Sequence, residues 1–419
     1  MVSVFGKKDF NNAKWFVVEK IVALIVSIFI VPKIFSSLGA DNIGGLEYVK
    51  SVLGIFAPIL SLGLSAICVR EFVFYPKRAN IILITSVVLQ FTVWLFLFLC
   101  LIVYLRYFEI SKLFWIYVIV SFSYLLRISS VFEYYLQAIK EVKYVFATKI
   151  FTLFIIMFLQ YYGIKNNFGV LYFAQLICCE FGFYVILYFL IYTRVFKKKM
   201  NLFAFSPVMA IRLIRSSFPL ILSNLLIAFY VSIDELFLEH YHSDYEVGIF
   251  ASVQFLVMGL CWSIGFSLIN GLYPSIAESY FSKSKSEYKR KIFILSIFVT
   301  ILGLLIGMLY FVFGDYVLER FFTPEYRDAR LSLKIFCWAP LFVFLGMIYE
   351  KHIVNTNELY KNVLRFIIGI LVNIILCFIL IPRWSVNGAA ISVLLSHFVV
   401  NVMFVSVDYV FTNKCKIER

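Results

Sequence analysis

The chain has 419 residues, of which 63% are hydrophobic, 19% aromatic and 15% charged, with a mean hydropathy of +0.93. Soluble domains carry roughly 45–50% apolar and about 25% charged residues, so a water-soluble fold of this size is excluded and lipid is the expected solvent. The net charge of +14 arises from 38 Lys and Arg against 24 Asp and Glu, but the basic residues recur in short clusters between apolar runs, which excludes a nucleic-acid surface and reads as topology signals.

The N-terminal stretch MVSVFGKKDFNNAK is basic and precedes an apolar run, as in a secretory signal, yet no small-x-small cleavage site follows. The run over 15–36 is long enough to cross a hydrocarbon layer of about 30 Å and is read as a retained first helix. Further spans follow at 45–69, 80–105, 113–137, 144–163 and 168–193. A basic connection over 194–215, the longest in the chain at 22 residues, leads to 216–239, 247–275, 291–313, 331–353, 361–381 and 386–411. Each run is bounded by charges or by Gly, Pro and Asn turns, and no connection has room for an extramembrane domain. The expected fold is all-α, a polytopic membrane protein of about twelve transmembrane helices.

Orientation follows from the distribution of Lys and Arg among alternate connections. With the N-terminus inside, one side holds 25 of them and the other 7, so both termini are expected in the cytoplasm of a bacterial inner membrane. The six that remain, Lys20, Lys33, Lys50, Arg127, Lys149 and Lys334, fall inside predicted spans. The eight cysteines have no metal or redox spacing and read as small packing residues. No G-x-x-x-x-G-K-[ST] loop is present, so no nucleotide hydrolysis, no cofactor and no catalytic residue is expected. The outer histidines, His240 and His242, form an HxH pair that by itself reads as a solvated loop.

The chain also repeats itself. IGGLEYVKSVLGIF from Ile43 corresponds to VGIFASVQFLVMGL from Val247, Tyr144 after KEVK corresponds to Tyr360 after TNEL, and FGVLYFAQL from Phe168 corresponds to NGAAISVLL from Asn387. The offsets of 204, 216 and 219 agree within loop-sized insertions and predict two six-helix lobes in parallel orientation, over 1–200 and 201–419.

Several strings carry a family resemblance: Leu38-Gly39 before the second span, Gly63-Leu64 and Arg70-Glu71 at its end, Pro219-Leu220 and Asp234 in the seventh, Glu246-Val247-Gly248 opening the eighth, and Pro382 with Gly388-Ala389-Ala390 near the end. In order and spacing the chain resembles the polysaccharide flippases of the Wzx type, in the superfamily that also holds the multidrug and toxin extruders and the lipid II flippases. It departs from that pattern at Gly45 and Glu239. The resemblance implies two lobes forming a V around a central cavity lined mainly by helices 1, 2, 7 and 8. It also implies a cargo, an undecaprenyl-pyrophosphate-linked oligosaccharide repeat carried from the cytoplasmic to the periplasmic leaflet for O-antigen or related surface polysaccharide synthesis.

A lipid-linked sugar needs a hydrated, cationic path while its tail stays in lipid. A charge at the bilayer centre costs about 2.5–3.5 kcal/mol on insertion scales, so such residues face water or a partner. Arg127, halfway along the fourth span, is the first choice for the pyrophosphate because a guanidinium offers a fork of donors. Lys33 and Lys50 are the next. The alternative is that the two lysines reach for headgroups and that Arg127 pairs with Glu133 or Glu180. Asp234, with Glu180 and Glu133, is the candidate for binding a coupling H+ or Na+, or for an ion pair. Asn224, Asn270, Tyr48, Tyr230 and Tyr273 are candidate sugar contacts, against the equally physical role of tying helices together. Pro32, Pro58, Pro219 and Pro274 interrupt helices 1, 2, 7 and 8, the ones that would bend during alternating access. The expected partners are the lipid-linked glycan and membrane lipids, with the protein acting as a monomer. A drug or cation antiporter of the same superfamily and a membrane glycan polymerase are the rival readings.

Overall fold

In the computed structural model the described residues are 7–108, 113–196, 201, 203–259, 285–356 and 358–408, with isolated positions between 265 and 280. No strand occurs among them. That follows from the solvent, because in lipid every N–H and C=O must bond within its own segment and an apolar run can do so only as a helix. The helices are α1 (Lys7–Leu60), α2 (Leu64–Phe74), α3 (Ala79–Tyr107), α4 (Phe114–Leu126), α5 (Ser130–Ala138), α6 (Val142–Lys165), α7 (Val170–Leu190), α8 (Pro207–Tyr241), α9 (Asp244–Gln254), α10 (Lys285–Phe321), α11 (Arg330–Phe336), α12 (Ala339–Thr356) and α13 (Leu359–Phe398).

Eight helices among the described residues are long and apolar enough to cross a membrane, and nine if α11 and α12, bent by 49° at their junction, form one span. Two of them join pairs of predicted spans. The first is broken at Gly39 (φ 79°, ψ 163°) and the last at Ser385 (φ 45°, ψ −126°), close to the boundaries expected at 36–45 and 381–386. With these two divisions the predicted spans fall mainly on helix where the residues are described, the second being interrupted by a turn at 61–63; the span predicted over 247–275 is described chiefly in α9. A Cβ on Gly39 would approach nothing closer than Glu325 Oε1 at 3.5 Å, so conformation and not space requires glycine there.

The chain divides into two compact units, Met1–Ile34 with Val49–Ala228 and Phe35–Tyr48 with Phe229–Arg419. In the first, Leu64, Ile82, Leu83, Val131, Val145 and Leu213 from α2, α3, α5, α6 and α8 are fully buried in one cluster. In the second, Phe250, Phe336 and Phe344 fill the interior between α9, α11 and α12. The second unit also holds a close crossing of α1 and α9. A Cβ built on Gly44 would lie 1.6 Å from the Asp244 carbonyl oxygen, and one on Gly248 would lie 1.9 Å from that of Ala40. Both pairs are related by the repeat offset of 204, so the repeat is written into a reciprocal backbone contact. Outward faces, such as Phe96, Leu99 and Val103 on α3 and Phe293, Ile297 and Leu305 on α10, are exposed and apolar, as a lipid boundary requires. The chain is a multi-pass membrane protein.

Candidate functional site

The fourth predicted span is not one continuous helix. Between α4 and α5, residues Arg127–Ser129 form a 3-10 turn, and Arg127 opens it. Tighter turns of this kind inside a helix often accompany functional positions. The Arg127 side chain is exposed, with its guanidinium carbon 4.8 Å from the centre of the Phe181 ring and 5.3 Å from that of Tyr124. Phe181 reaches it because α7 packs along α4, a contact pinned where the Cys178 thiol donates to the Ile119 carbonyl at 2.8 Å. Each ring at such a distance favours the cation.

The carboxylates that a structural role would offer Arg127 are held elsewhere. Glu133 accepts from Lys149 Nζ at 2.9 Å and Gln137 Nε2 at 3.1 Å, and Glu180 accepts from the Tyr184 hydroxyl at 2.9 Å. Among the described residues Arg127 has no ion pair. Lys50, half-buried on α1, joins it around one group, since the Tyr124 hydroxyl lies within electrostatic reach of both cations. Lys33 is exposed on α1 without an ion pair among the described residues, and no contact there links it to Arg127 or Lys50. Glu180, Glu19 and Glu133 all act electrostatically on Tyr184, whose ring stacks on Tyr188 at 6.1 Å.

In the second unit Asp234 is 1% exposed and accepts a 2.6 Å hydrogen bond from Gln254 Nε2 on α9. One turn before it, Tyr230 is buried, with its hydroxyl 3.0 Å from His397 Nδ1 and 3.2 Å from Ser396 Oγ. Asn224 is exposed and Tyr48 is half-buried with a partner of its own. Asn270 and Tyr273, together with Pro274, lie outside the described residues. His242 contacts the Ile381 carbonyl through Nε2 at 2.8 Å, and no group of three or more His, Cys, Asp or Glu among the described residues could hold a metal ion.

Sequence reasoning missed three features. Phe181 and Tyr124 gave no sign of enclosing Arg127, because one of them comes from a helix more than fifty residues away. Arg365, counted with the loop charges, is in fact 2% exposed, lies against the Tyr349 and Phe366 rings at 5.5 and 4.9 Å, and donates to the Gly346 carbonyl at 3.2 Å. Lys361, one turn earlier, is also buried and pairs with Asp408 at 2.7 Å and Glu358 at 3.0 Å. The available signal was their i,i+4 spacing at the start of an apolar run, which puts both on one face of α13.

Comparison with known proteins adds the following. The family model described as polysaccharide biosynthesis protein matches residues 10–280, and the MatE model matches residues 219–379. The capsular polysaccharide biosynthesis protein CapF of Staphylococcus aureus is 26% identical over 190 residues, 44% of this chain and 47% of that protein, so the match spans about half the relative's length. Among solved structures, an inward-facing multidrug resistance transporter of the MATE family, in the MOP superfamily, superposes with a TM-score of 0.77 at 11% identity, covering 96% of this chain and 99% of that one. A MOP superfamily transporter from Pyrococcus furiosus, described by the reverse polarity of its binding pocket, gives 0.68 at 13% identity, covering 94% and 93%. At these identities the likeness is one of fold. The expected fold, a two-lobe helical membrane protein of the MATE kind, is the one observed.

Proposed function

This chain belongs to the polysaccharide biosynthesis protein family, and from that premise we propose that it flips undecaprenyl-pyrophosphate-linked oligosaccharide repeat units from the cytoplasmic to the periplasmic leaflet by alternating access. The observation that carries the reading is Arg127, an exposed guanidinium halfway along a membrane span, enclosed by two rings and without a carboxylate among the described residues. A charge in that position needs water or an anion. A diphosphate supplies the anion, and the planar fork of the guanidinium matches its oxygens. Lys50 adds a second cation near Tyr124, and Lys33 would act where the path opens to the other leaflet.

The polymer served is a capsule, an O-antigen or a related surface glycan, and capsule is the assignment carried by the name of the Staphylococcus aureus relative. In a bacterial cytoplasmic membrane with both termini inside, a negative interior favours export of an anion by about 2.3 kcal/mol per charge per 100 mV. Asp234, buried against Gln254, and the Glu133 and Glu180 carboxylates are where a proton or sodium ion would couple to the cycle. A drug or cation antiporter would present those acids to a cationic cargo, whereas here Glu133 and Glu180 are engaged by Lys149 and Tyr184, and Arg127 and Lys33 are exposed without an ion pair among the described residues.

Arg127→Ala should abolish surface-glycan assembly while the protein remains inserted at its normal level. Normal glycan on cells that carry normally inserted Arg127→Ala protein would remove the phosphate role. Glycosyltransferase genes beside this one would favour the flippase over the antiporter.

A further inference from the structure

Tyr124 and Phe181 enclose the same guanidinium, but only one of them carries a hydroxyl. If clamping the cation were the whole task, a second phenylalanine would serve. On the half-buried Tyr124 the hydroxyl has no hydrogen-bond partner among the described residues and is not one of the sealed, unpartnered polar atoms, so it is accessible to an incoming group. Its surroundings are specific, because Arg127 stands three residues on, one turn further along the same face, and Lys50 approaches from α1. Neither cation can accept a hydrogen bond, so the hydroxyl proton is left for a third party.

That third party is an anion with more oxygens than one guanidinium can satisfy. A bidentate Arg takes two oxygens of a phosphate, and the remaining oxygens need further donors. A neutral hydroxyl beside the fork supplies one without adding charge to the membrane interior, where each extra charge is costly. We propose that the Tyr124 hydroxyl is a direct ligand of the diphosphate group of the lipid carrier, donating to a phosphate oxygen held by Arg127, while its ring fixes the guanidinium from one side. The proposal rests on the phosphate reading of Arg127 and adds a residue with two separable functions.

The test uses the full-length protein purified in detergent and titrated with undecaprenyl pyrophosphate, with undecaprenol as the phosphate-free control and inorganic pyrophosphate as a third probe. Tyr124→Phe keeps the ring and its packing, so its melting midpoint should match the wild type. A hydrogen bond to a charged group is worth enough that its loss should weaken undecaprenyl pyrophosphate binding roughly tenfold or more. Undecaprenol binding should be unchanged. If inorganic pyrophosphate shows the same sensitivity, the diphosphate alone is recognised; if only the lipid form does, the linked headgroup is recognised. Either result supports the assignment. Wild-type affinity in Tyr124→Phe beside weakened binding in Arg127→Ala overturns the role of the hydroxyl and leaves the phosphate reading standing. Wild-type affinity in Arg127→Ala overturns the phosphate reading itself, and equal weakening of undecaprenol by Tyr124→Phe would reduce Tyr124 to packing.

Discussion

Six basic side chains inside the predicted spans belong to neither side of the orientation count, and the structure sorts them by partner. Lys149 bonds Glu133 at 2.9 Å, Lys334 bonds Asp315 at 2.7 Å, and Lys20 stands 3.5 Å from Glu19. Arg127 and Lys33 have no such pair among the described residues, and Lys50 lies with Arg127 about Tyr124. Paired cations are expected to matter for stability, and Arg127 and Lys33 for cargo. Lys149→Met leaves the Glu133 carboxylate without its cation, and since both side chains are largely but not wholly buried the expected loss is about 1–3 kcal/mol. Adding Glu133→Gln should restore most of that loss, because the stranded charge is then gone. Melting midpoints in detergent for the two single variants and the double variant measure the coupling directly. A pair that contributes nothing would give additive shifts, and would place Lys149 with the cations available to cargo.

At the scale of elements, the crossing of α1 and α9 is the tightest feature of the second unit. Gly44→Ala and Gly248→Ala each drive a Cβ into a backbone carbonyl that cannot swing aside, at 1.6 and 1.9 Å, so the helices must part. The expected cost is about 3 kcal/mol for each, seen as a fall in melting midpoint. Gly54→Ala on the same helix meets nothing within 4 Å and should be neutral or stabilising by up to about 1 kcal/mol, a contrast that separates crowding from a general effect of replacing glycine in a helix. This crossing was legible in advance as a repeat, since Ile43-Gly44 and Val247-Gly248 align, and the spans were legible because apolar runs in lipid have one way to satisfy their backbones. The break at Ser385 was less so. A serine at φ 45° has no composition cue, and the conformation is held by the chain on either side of it. The enclosure of Arg127 was illegible for the same kind of reason. The position of Arg127 within a span is local information, but the ring of Phe181 and the commitment of Glu133 and Glu180 to other partners are tertiary facts. Tyr230 shows the same limit, since its candidacy for sugar came from its place on a span, whereas its hydroxyl lies between Ser396 and His397 more than 160 residues away.

At the scale of the whole molecule, orientation decides whether the electrical field assists or opposes the proposed transport. Twenty-five Lys and Arg on one side against 7 on the other form a bias that loop charges of this density normally enforce. The assignment therefore predicts that a phosphatase reporter active only outside the cytoplasm is silent when fused after residue 199 and active when fused after residue 166. In that orientation the diphosphate leaves a negative compartment, and each of its charges gains about 2.3 kcal/mol per 100 mV of potential. A cationic station that travelled with the cargo would cancel the gain, because the cation would move against the same field. Arg127 is better suited to stay behind, since its guanidinium lies against rings of α4 and α7 inside a single compact unit. The opposite reporter pattern would invert the argument, as the potential would then hold the anion in its starting leaflet and an ion gradient acting through the buried acids would have to supply the whole driving force.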